Sequence, residues 1–184
     1  SITLCAFEDL LTERQYTRWK ESKAEASATE EEEPSYHRRE VSSTQARNEE
    51  KHGTVGAVAL DTSGMLAAAT STGGIFDQYP GRVGDSPLVG CGFYADDNAA
   101  ISCTGYGEDF IRLLIAKRAA DFVAGGATAR DAAQAAIAVL SAKTTGAGGL
   151  IIVDRLGNVG FAWNSEHLSY AYLIEGMEEP IAGI

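Results

Sequence analysis

From Thr54 onward, short apolar segments alternate with turn residues, and this pattern constrains the fold more than any other feature of the sequence. The run Asp61-Thr62-Ser63-Gly64 separates two such segments and is typical of a hairpin turn. The run 154–158, Asp-Arg-Leu-Gly-Asn, separates two more. The predicted strands span residues 54–60, 65–72, 99–104, 149–153 and 159–164.

Two helical segments interrupt the strands. The first, 108–124, is apolar on nearly all sides and precedes Gly125-Gly126, where a helix is expected to stop. The second, 129–143, follows Thr128, a residue type suited to cap a helix, and carries an apolar stripe. The order ββ, β, αα, ββ favours a layered α+β domain over the regular βαβ alternation of dinucleotide-binding folds.

Residues 1–53 differ in composition from the rest of the chain. They hold 12 acidic and 8 basic residues, include the acidic tract 30–33, and have few large apolar side chains after Trp19. Such a segment can bury little surface. We expect a short helix over 7–23 and a solvated linker over 24–51, followed by one core domain over 54–184.

The overall charge and the cysteine pattern argue against several classes of partner. A net charge of -11 without a dense block of Lys or Arg argues against nucleic acid or an anionic membrane surface. The sequence has no apolar run of about 18 residues and no basic signal-peptide region, so we expect a cytoplasmic location. Cys5, Cys91 and Cys103 show no metal-ligand spacing, which predicts free thiols and no metal site.

The pair Gly53-Thr54 stands directly before the first predicted strand. A threonine hydroxyl is a poor nucleophile unless a base takes its proton, and a free α-amino group, with a pKa of about 7.7 to 8.0, suits that task. If the chain were cut between Gly53 and Thr54, one residue would carry both nucleophile and base. Read alone, the same residues are more typical of a loop that enters a core strand.

Two further segments carry residues that such a nucleophile needs. Thr72 ends the second strand of the first hairpin, where its hydroxyl can meet that of Thr54. In the Gly-rich loop 81–87, Arg82 can hold a carboxylate and Asp85 can accept from an ammonium group. A surface salt bridge between Arg82 and Asp85 is the alternative explanation of the same two charges.

The run 104–108, Thr-Gly-Tyr-Gly-Glu, lies at a predicted strand-to-helix junction. Backbone N–H groups at the start of a helix are unpaired, so Thr104 and Gly105 mark a place where an oxyanion can bind. A Gly-rich turn with a capping threonine explains the same residues without chemistry. Glu108 is expected in the first helical turn, where a carboxylate interacts favourably with the helix dipole.

In their order and spacing, Gly53-Thr54 and the segments 70–74, 81–87 and 104–108 resemble the β-subunit of the plant-type asparaginases, also called isoaspartyl peptidases. The resemblance covers most of residues 54–164. It implies an N-terminal-nucleophile hydrolase with an αββα sandwich, of which this chain would supply roughly the β-subunit half. It also implies that residues 1–53 end the α-subunit and that a precursor cuts itself at Gly53-Thr54.

The resemblance further implies a role for each matching residue. Thr54 would be the nucleophile, and Thr72 would assist it. Arg82 and Asp85 would hold the α-carboxylate and α-amine of the substrate. The Thr104 hydroxyl and the neighbouring backbone N–H would stabilise the oxyanion. The residues implied are Thr54, Thr72, Thr104 and Gly105 for catalysis, and Arg82, Asp85, Gly105 and Gly107 for substrate binding.

The activity implied is hydrolysis of L-asparagine to aspartate and ammonia, and of β-aspartyl dipeptides, through an acyl-enzyme and without a cofactor. Glycosylasparaginase and threonine aspartase are related alternatives, but both usually have Asp before the threonine, where this chain has Gly53. An uncut or truncated family member with a structural or interaction role is the alternative from another class.

Most of the family's α-subunit is expected to lie outside this sequence. Without it, the sheet that begins at Thr54 would keep apolar surface and strand edges uncovered. We therefore expect the chain to need the remaining α-subunit, and the resemblance implies a homodimer of αβ units. A structural sodium ion, which the family usually binds, would lie in the missing portion.

Overall fold

The structure is a computed structural model that describes residues 12–29, 53–76 and 78–184. The chain divides into two compact units, Ser1–Glu50 and Lys51–Ile184. In the first unit, helix α1 spans Glu13–Thr29. The predicted helix over 7–23 begins outside the described residues, and the predicted linker is wrong for 24–29, which are helical. These six residues are mostly Ala and Glu, which are strong helix formers, so the helix continues.

Within the described residues, the second unit has eight strands and three helices. All five predicted strands are present, which confirms the α+β class, and no described helix has the length and apolar character needed to cross a bilayer. Strands β3, β7 and β8 were not predicted, because three residues are too few to show alternation. The strands are β1 (Thr54–Leu60), β2 (Leu66–Thr72), β3 (Phe93–Ala95), β4 (Ala99–Gly105), β5 (Gly148–Asp154), β6 (Val159–Trp163), β7 (Tyr170–Tyr172) and β8 (Ile181–Gly183). The helices are α2 (Gly107–Leu113), α3 (Ile115–Ala124) and α4 (Ala129–Lys143).

The strands form three antiparallel sheets. Strands β1 and β2 are a hairpin whose turn is fixed by the Asp61 carboxylate, which accepts from the N–H groups of Ser63 and Met65, both at 2.8 Å. Strands β3, β4, β5 and β6 form a four-stranded sheet in that order, and β7 pairs with β8. The hairpin register places the first residue of β1 opposite the last residue of β2.

The four-stranded sheet lies between helices and the hairpin. Alternate residues of β4, including Ile101 and Cys103, are buried on the face that packs against α3, and α4 packs on the same sheet over β5 and β6. The residues between them point the other way, and Ser102 contacts Thr70 of the hairpin. The layers are therefore helix, sheet and hairpin. The core against the helices includes Ile101, Phe110, Ile115, Leu140, Leu150 and Ile152.

The outer face of the β1–β2 hairpin is apolar and exposed. Val55 is 75 % exposed and lies opposite Ser71, and the remaining alternate positions on this face are exposed alanines, namely Ala57, Ala59, Ala67 and Ala69. Isolated exposed apolar residues are ordinary, but a row of them on one face of a sheet is typical of a surface that packs against another protein segment. Within the second unit, the described residues provide no layer over this face.

The predicted single helix over 108–124 is two helices, because the chain breaks at Leu114. This residue has φ 51° and ψ 51°, a left-handed conformation that costs a non-glycine residue about 1–2 kcal/mol. The break frees backbone N–H groups at the start of α3. The backbone N–H of Lys117 donates to the carbonyl oxygen of Gly90 at 2.9 Å. Ile115 at the start of α3 is fully buried. Tertiary contacts thus override a sequence of good helix formers.

Helix α4 begins at the predicted capping residue. The Thr128 side chain accepts from the N–H of Asp131 at 3.1 Å, and its hydroxyl donates to the Asp131 carboxylate at 2.8 Å. We expect Thr128→Ala to lower the free energy of unfolding by about 1 kcal/mol, since a helix N–H loses its partner. Urea denaturation followed by circular dichroism measures this. Thr145→Ala, at an exposed threonine beyond the same helix, should leave the midpoint unchanged, and equal midpoints for both variants would contradict the assignment.

Candidate active site

The open end of the hairpin brings two predicted catalytic residues together. Thr54 and Thr72 are directly opposed, so their side chains leave the same face of the hairpin. The Thr72 hydroxyl donates to the carbonyl oxygen of Gly53 at 2.8 Å and accepts from the N–H of Gly74 at 3.1 Å. Its single proton is thus directed to the carbonyl of the Gly53–Thr54 bond, whereas the sequence suggested a bond to the Thr54 hydroxyl.

A small pocket at this end joins residues from all four sequence segments. Five of the predicted site residues line it together, and the other three, Gly53, Thr104 and Gly107, adjoin the lining residues in sequence or in space. The lining residues are Thr54, Thr72, Gly74, Ile75, Arg82, Gly84, Asp85, Ser86 and Gly105.

Gly105 closes one side of the pocket at the end of β4. Its φ is 145°, a conformation that favours glycine. A Cβ atom there would lie 2.5 Å from the carbonyl oxygen of Ala147 and 2.6 Å from Cα of Gly148, so no side chain fits. The following residue, Tyr106, donates its N–H to the Ala147 carbonyl at 3.0 Å. These contacts hold the backbone after Thr104 against the start of β5.

Gly107 leaves open the space between the two predicted charges. A Cβ atom at this position would lie 2.9 Å from Oδ1 of Asp85 and 3.1 Å from Nη2 of Arg82. Gly107 itself is buried in the first turn of α2. The close approach of its backbone to both side chains supports its predicted place beside a small ligand.

Asp85 is a buried carboxylate with unused hydrogen-bonding capacity. Asp85 is 5 % exposed, and its Oδ2 atom has no hydrogen-bond partner among the described residues. Its backbone carbonyl is fixed by the N–H groups of Leu88 at 2.8 Å and Gly92 at 3.1 Å. Burial raises the pKa of the Asp85 carboxyl, which backbone N–H groups and the Arg82 charge partly oppose. A cationic ligand would satisfy this oxygen.

Arg82 pairs with Glu108 and not with Asp85, so the salt bridge considered from the sequence is wrong. The Arg82 Nε and Nη2 atoms donate to the two Glu108 oxygens at 2.9 and 3.0 Å. The Arg82 side chain is 16 % exposed and that of Glu108 is 56 % exposed. Nη1 donates to Oε1 of Gln78 at 3.3 Å. Because a guanidinium has five N–H donors, two remain for the carboxylate of a ligand.

Glu108 is the charged residue of the site whose role sequence reasoning missed. It lies in the first turn of α2, as expected, but its carboxylate binds a side chain 26 positions earlier. No local pattern marks such a pair. Within the family resemblance, its position directly after Gly107 was the one signal available.

Within the described part of the chain, the cysteines and the acidic residues form no metal site. Cys91 and Cys103 are buried free thiols, as predicted, and burial raises the pKa of both. Cys5 lies outside the described residues. No three His, Cys, Asp or Glu side chains within the described ranges gather into a group that could hold a metal ion.

Comparison with known proteins gives one consistent result. The sequence profile of a family described as asparaginase matches residues 2–181. The plant-type L-asparaginase of Pyrococcus horikoshii is 54% identical over 133 residues, which are 71% of this chain and 43% of that protein. The isoaspartyl peptidase of Salmonella typhimurium is 50% identical over 136 residues, 73% of this chain and 43% of that protein.

A mammalian relative agrees with these two. The isoaspartyl peptidase/L-asparaginase of Mus musculus is 47% identical over 125 residues, 67% of this chain and 38% of that protein. The chain thus spans less than half the length of the curated relatives it matches.

Proposed function

The chain belongs to the asparaginase family, and on this premise we propose that it is the catalytic portion of a self-processing threonine amidohydrolase. Its reaction is hydrolysis of L-asparagine to aspartate and ammonia, and of β-aspartyl dipeptides, through an acyl-enzyme on Thr54. The observation that carries the proposal is the convergence of Thr54, Thr72, Arg82, Asp85 and Gly105 on one pocket. The names of the relatives, plant-type L-asparaginase and isoaspartyl peptidase, support the substrate class.

The contact between Thr72 and Gly53 supports the self-processing step. The Thr72 hydroxyl donates to the Gly53 carbonyl oxygen and so polarises the carbon that must be attacked. The Thr54 hydroxyl oxygen forms a bond to that carbon, the C–N bond breaks, and the proton passes to the nitrogen. Water then hydrolyses the ester, which leaves a carboxylate on Gly53 and a free amine on Thr54.

The free amine is the base for turnover. It takes the proton of the Thr54 hydroxyl, whose oxygen attacks the side-chain carbonyl carbon of asparagine. The Thr104 hydroxyl and the Gly105 N–H stabilise the oxyanion, a contribution of about 2.7 to 4 kcal/mol per donor in comparable enzymes. The proton passes to the leaving nitrogen, ammonia departs, and water releases aspartate from the ester.

Arg82 and Asp85 hold the substrate during these steps. The two N–H donors that Arg82 retains beside Glu108 bind the α-carboxylate, and Oδ2 of Asp85 accepts from the α-ammonium group. A free amino acid or a β-aspartyl dipeptide presents both groups at one carbon. Gly107 allows that carbon to come close, because its missing side chain leaves the space between the two charges open.

The complete enzyme includes the α-subunit portion that the relatives have in addition. The exposed apolar row around Val55 supports a fourth layer over the hairpin, which would complete the αββα sandwich. In this arrangement residues 1–53 end the α-subunit and 54–184 form the β-subunit, in a homodimer of αβ units. The sodium ion of the family belongs to the added portion, no organic cofactor takes part, and the cytoplasmic location remains a prediction.

Intact-mass measurement of the complete protein tests the proposal. We expect purified protein to convert, over hours of incubation, into two pieces, of which one begins at Thr54 by N-terminal sequencing. Ammonia release from asparagine should increase in parallel with that piece. A persistent uncut chain that releases no ammonia would support the alternative of an inactive, structural family member.

A further inference from the structure

The candidate site is assembled from two sheets that share no backbone pairing in the described part of the chain. Thr54 and Thr72 end the β1–β2 hairpin, whereas Thr104 and Gly105 end β4 of the four-stranded sheet. Backbone hydrogen bonds fix positions within each sheet. The distance from nucleophile to oxyanion donors must therefore be set by contacts between the sheets.

A polar contact between the two sheets lies two residues along each strand from the site. Thr70 and Ser102 each precede a predicted catalytic threonine by two residues and share its face of the strand. Their hydroxyl oxygens are 2.6 Å apart, and Ser102 is 3 % exposed. The Thr70 hydroxyl is also 3.1 Å from the carbonyl oxygen of Gly92, which can only accept, so when both bonds form together Thr70 donates to Gly92 and Ser102 donates to Thr70.

Gly92 extends this contact to the substrate-binding loop. Its carbonyl accepts from Thr70 and from the N–H of Cys103 at 2.8 Å, and its own N–H donates to the carbonyl of Asp85 at 3.1 Å. The hairpin, strand β4 and the Asp85 backbone are thus joined through three short links. We call Thr70, Ser102 and Gly92 the hydroxyl bridge.

Gly56 allows the hairpin to rest directly on Ser102. It lies opposite Thr70 and two residues after Thr54. A Cβ atom at this position would lie 2.9 Å from Cβ of Ser102 and closer still to its hydroxyl oxygen. The volume of the Ser102 side chain therefore limits how closely the hairpin can approach the four-stranded sheet. The bond of its hydroxyl to Thr70 resists sliding of the hairpin along the sheet.

We propose that Ser102 is a positioning residue, which through the hydroxyl bridge holds the Thr54–Thr72 hairpin at the working distance from Thr104–Gly105 and Asp85. Ser102 does not line the pocket, so it acts through Thr70. The inference rests on the proposed function. A misplacement of about 1 Å at a reacting centre can lower a rate by a factor on the order of 100, so a buried hydroxyl one step away can control turnover.

Ser102→Ala in the complete protein is the direct test. It removes the donor to Thr70 but leaves the bond from Thr70 to Gly92. We expect kcat for ammonia release to fall by about tenfold, with KM within about a factor of two, since orientation and not binding is lost. Cleavage at Thr54 should slow in parallel, as followed by intact mass. Ser169→Ala, at an exposed serine, is the matched control and should behave as the parent protein.

Two further pairs of variants separate positioning from a general structural role. Thr70→Val combined with Ser102→Ala should be no slower than Thr70→Val alone, because Thr70→Val already removes the bond between Thr70 and Ser102. Gly56→Ala should lose activity by clashing with Ser102, and Ser102→Gly added to it should restore part of the loss by making room for the new methyl group. If Gly56→Ala does not fold, Ser102→Ala decides the matter.

The outcomes distinguish this inference from the proposed function. If the parent protein is neither cut nor releases ammonia, the proposed function fails and the inference fails with it. If the parent protein is active and Ser102→Ala has the same kcat, or if Ser102→Ala raises KM alone, only the inference is overturned.

Discussion

Replacement of Thr54 by alanine should leave the Gly53–Thr54 bond intact and stop ammonia release from asparagine. The variant lacks the hydroxyl that attacks both the Gly53 carbonyl and the substrate amide, and no cut means no free amine to act as base. Loss of a catalytic nucleophile lowers kcat by a factor on the order of 10⁴ or more. Intact mass should show one uncut chain, and a coupled ammonia assay should show only background.

The serine variant is the matched control for this experiment. Thr54→Ser keeps a hydroxyl and, after cleavage, an α-amine on the same residue, so it should still be cut and active at a reduced rate. Thr62→Ala, in the exposed turn of the same hairpin, should be cut as fast as the parent protein. Ammonia release by Thr54→Ala would mean that another group is the nucleophile.

The hairpin that carries Thr54 could be predicted because its determinants are local. The turn between two alternating segments fixes the register of an antiparallel pair, and the register decides which residues are opposite each other. The sequence therefore predicted that the start of the first strand meets the end of the second, but not the exact partner. The predicted four-residue turn 61–64 would pair Thr54 with Ser71, whereas the observed register, with Leu60 opposite Leu66, pairs Thr54 with Thr72. The strands and α4 were predictable for the same reason, since each repeats its pattern over several residues.

The break between α2 and α3 could not be predicted in this way. Leu114 and its neighbours favour helix, and no Gly or Pro marks the interruption. Distant partners hold the left-handed conformation. The backbone N–H of Lys117 donates to the carbonyl of Gly90, 27 positions earlier, and the Ile115 side chain is buried in the core. A local pattern carries no information about contacts across such a separation.

In the candidate site, too, the locally determined features were predictable and those set by distant contacts were not. The residue types of the pocket were visible as motifs, but the partner of each polar group was not. Arg82 is held by Glu108, and the proton of Thr72 goes to Gly53, because loops separated in sequence meet at the ends of β2 and β4. The hydroxyl bridge was likewise invisible, since Thr70 and Ser102 are 32 positions apart.

The charges of the pocket indicate which replacement will separate stability from activity. Arg82 is compensated by Glu108, whereas the buried Oδ2 of Asp85 has no hydrogen-bond partner among the described residues. A buried carboxylate that its surroundings compensate only in part destabilises the folded chain until a cation binds. Residues that bind charged ligands commonly lower stability in this way, and improving stability at such a position removes function.

Asp85→Asn should bind substrate much less well and yet unfold less readily at neutral pH. The amide has nearly the same shape as the carboxylate but cannot attract the α-ammonium group, so kcat/KM for asparagine should fall by about 100-fold or more. Cleavage at Gly53–Thr54 should continue, because that step uses no ammonium group. Asp97→Asn, at an exposed aspartate, should leave both quantities unchanged.

The stability gain of Asp85→Asn should depend on pH in a defined direction. Burial raises the pKa of Asp85 in the folded chain above its ordinary value of 3.8, so the folded chain binds more protons than the unfolded chain between the two values. The unfolding free energy of the parent protein therefore falls as pH rises through this window, and Asn removes that fall. In urea denaturation, the advantage of the variant should be absent below pH 3.8, grow with rising pH, and become constant above the folded pKa. An advantage that is equal at all pH values, or a variant with parental kcat/KM, would show that Asp85 is not an ionised ligand of the substrate ammonium.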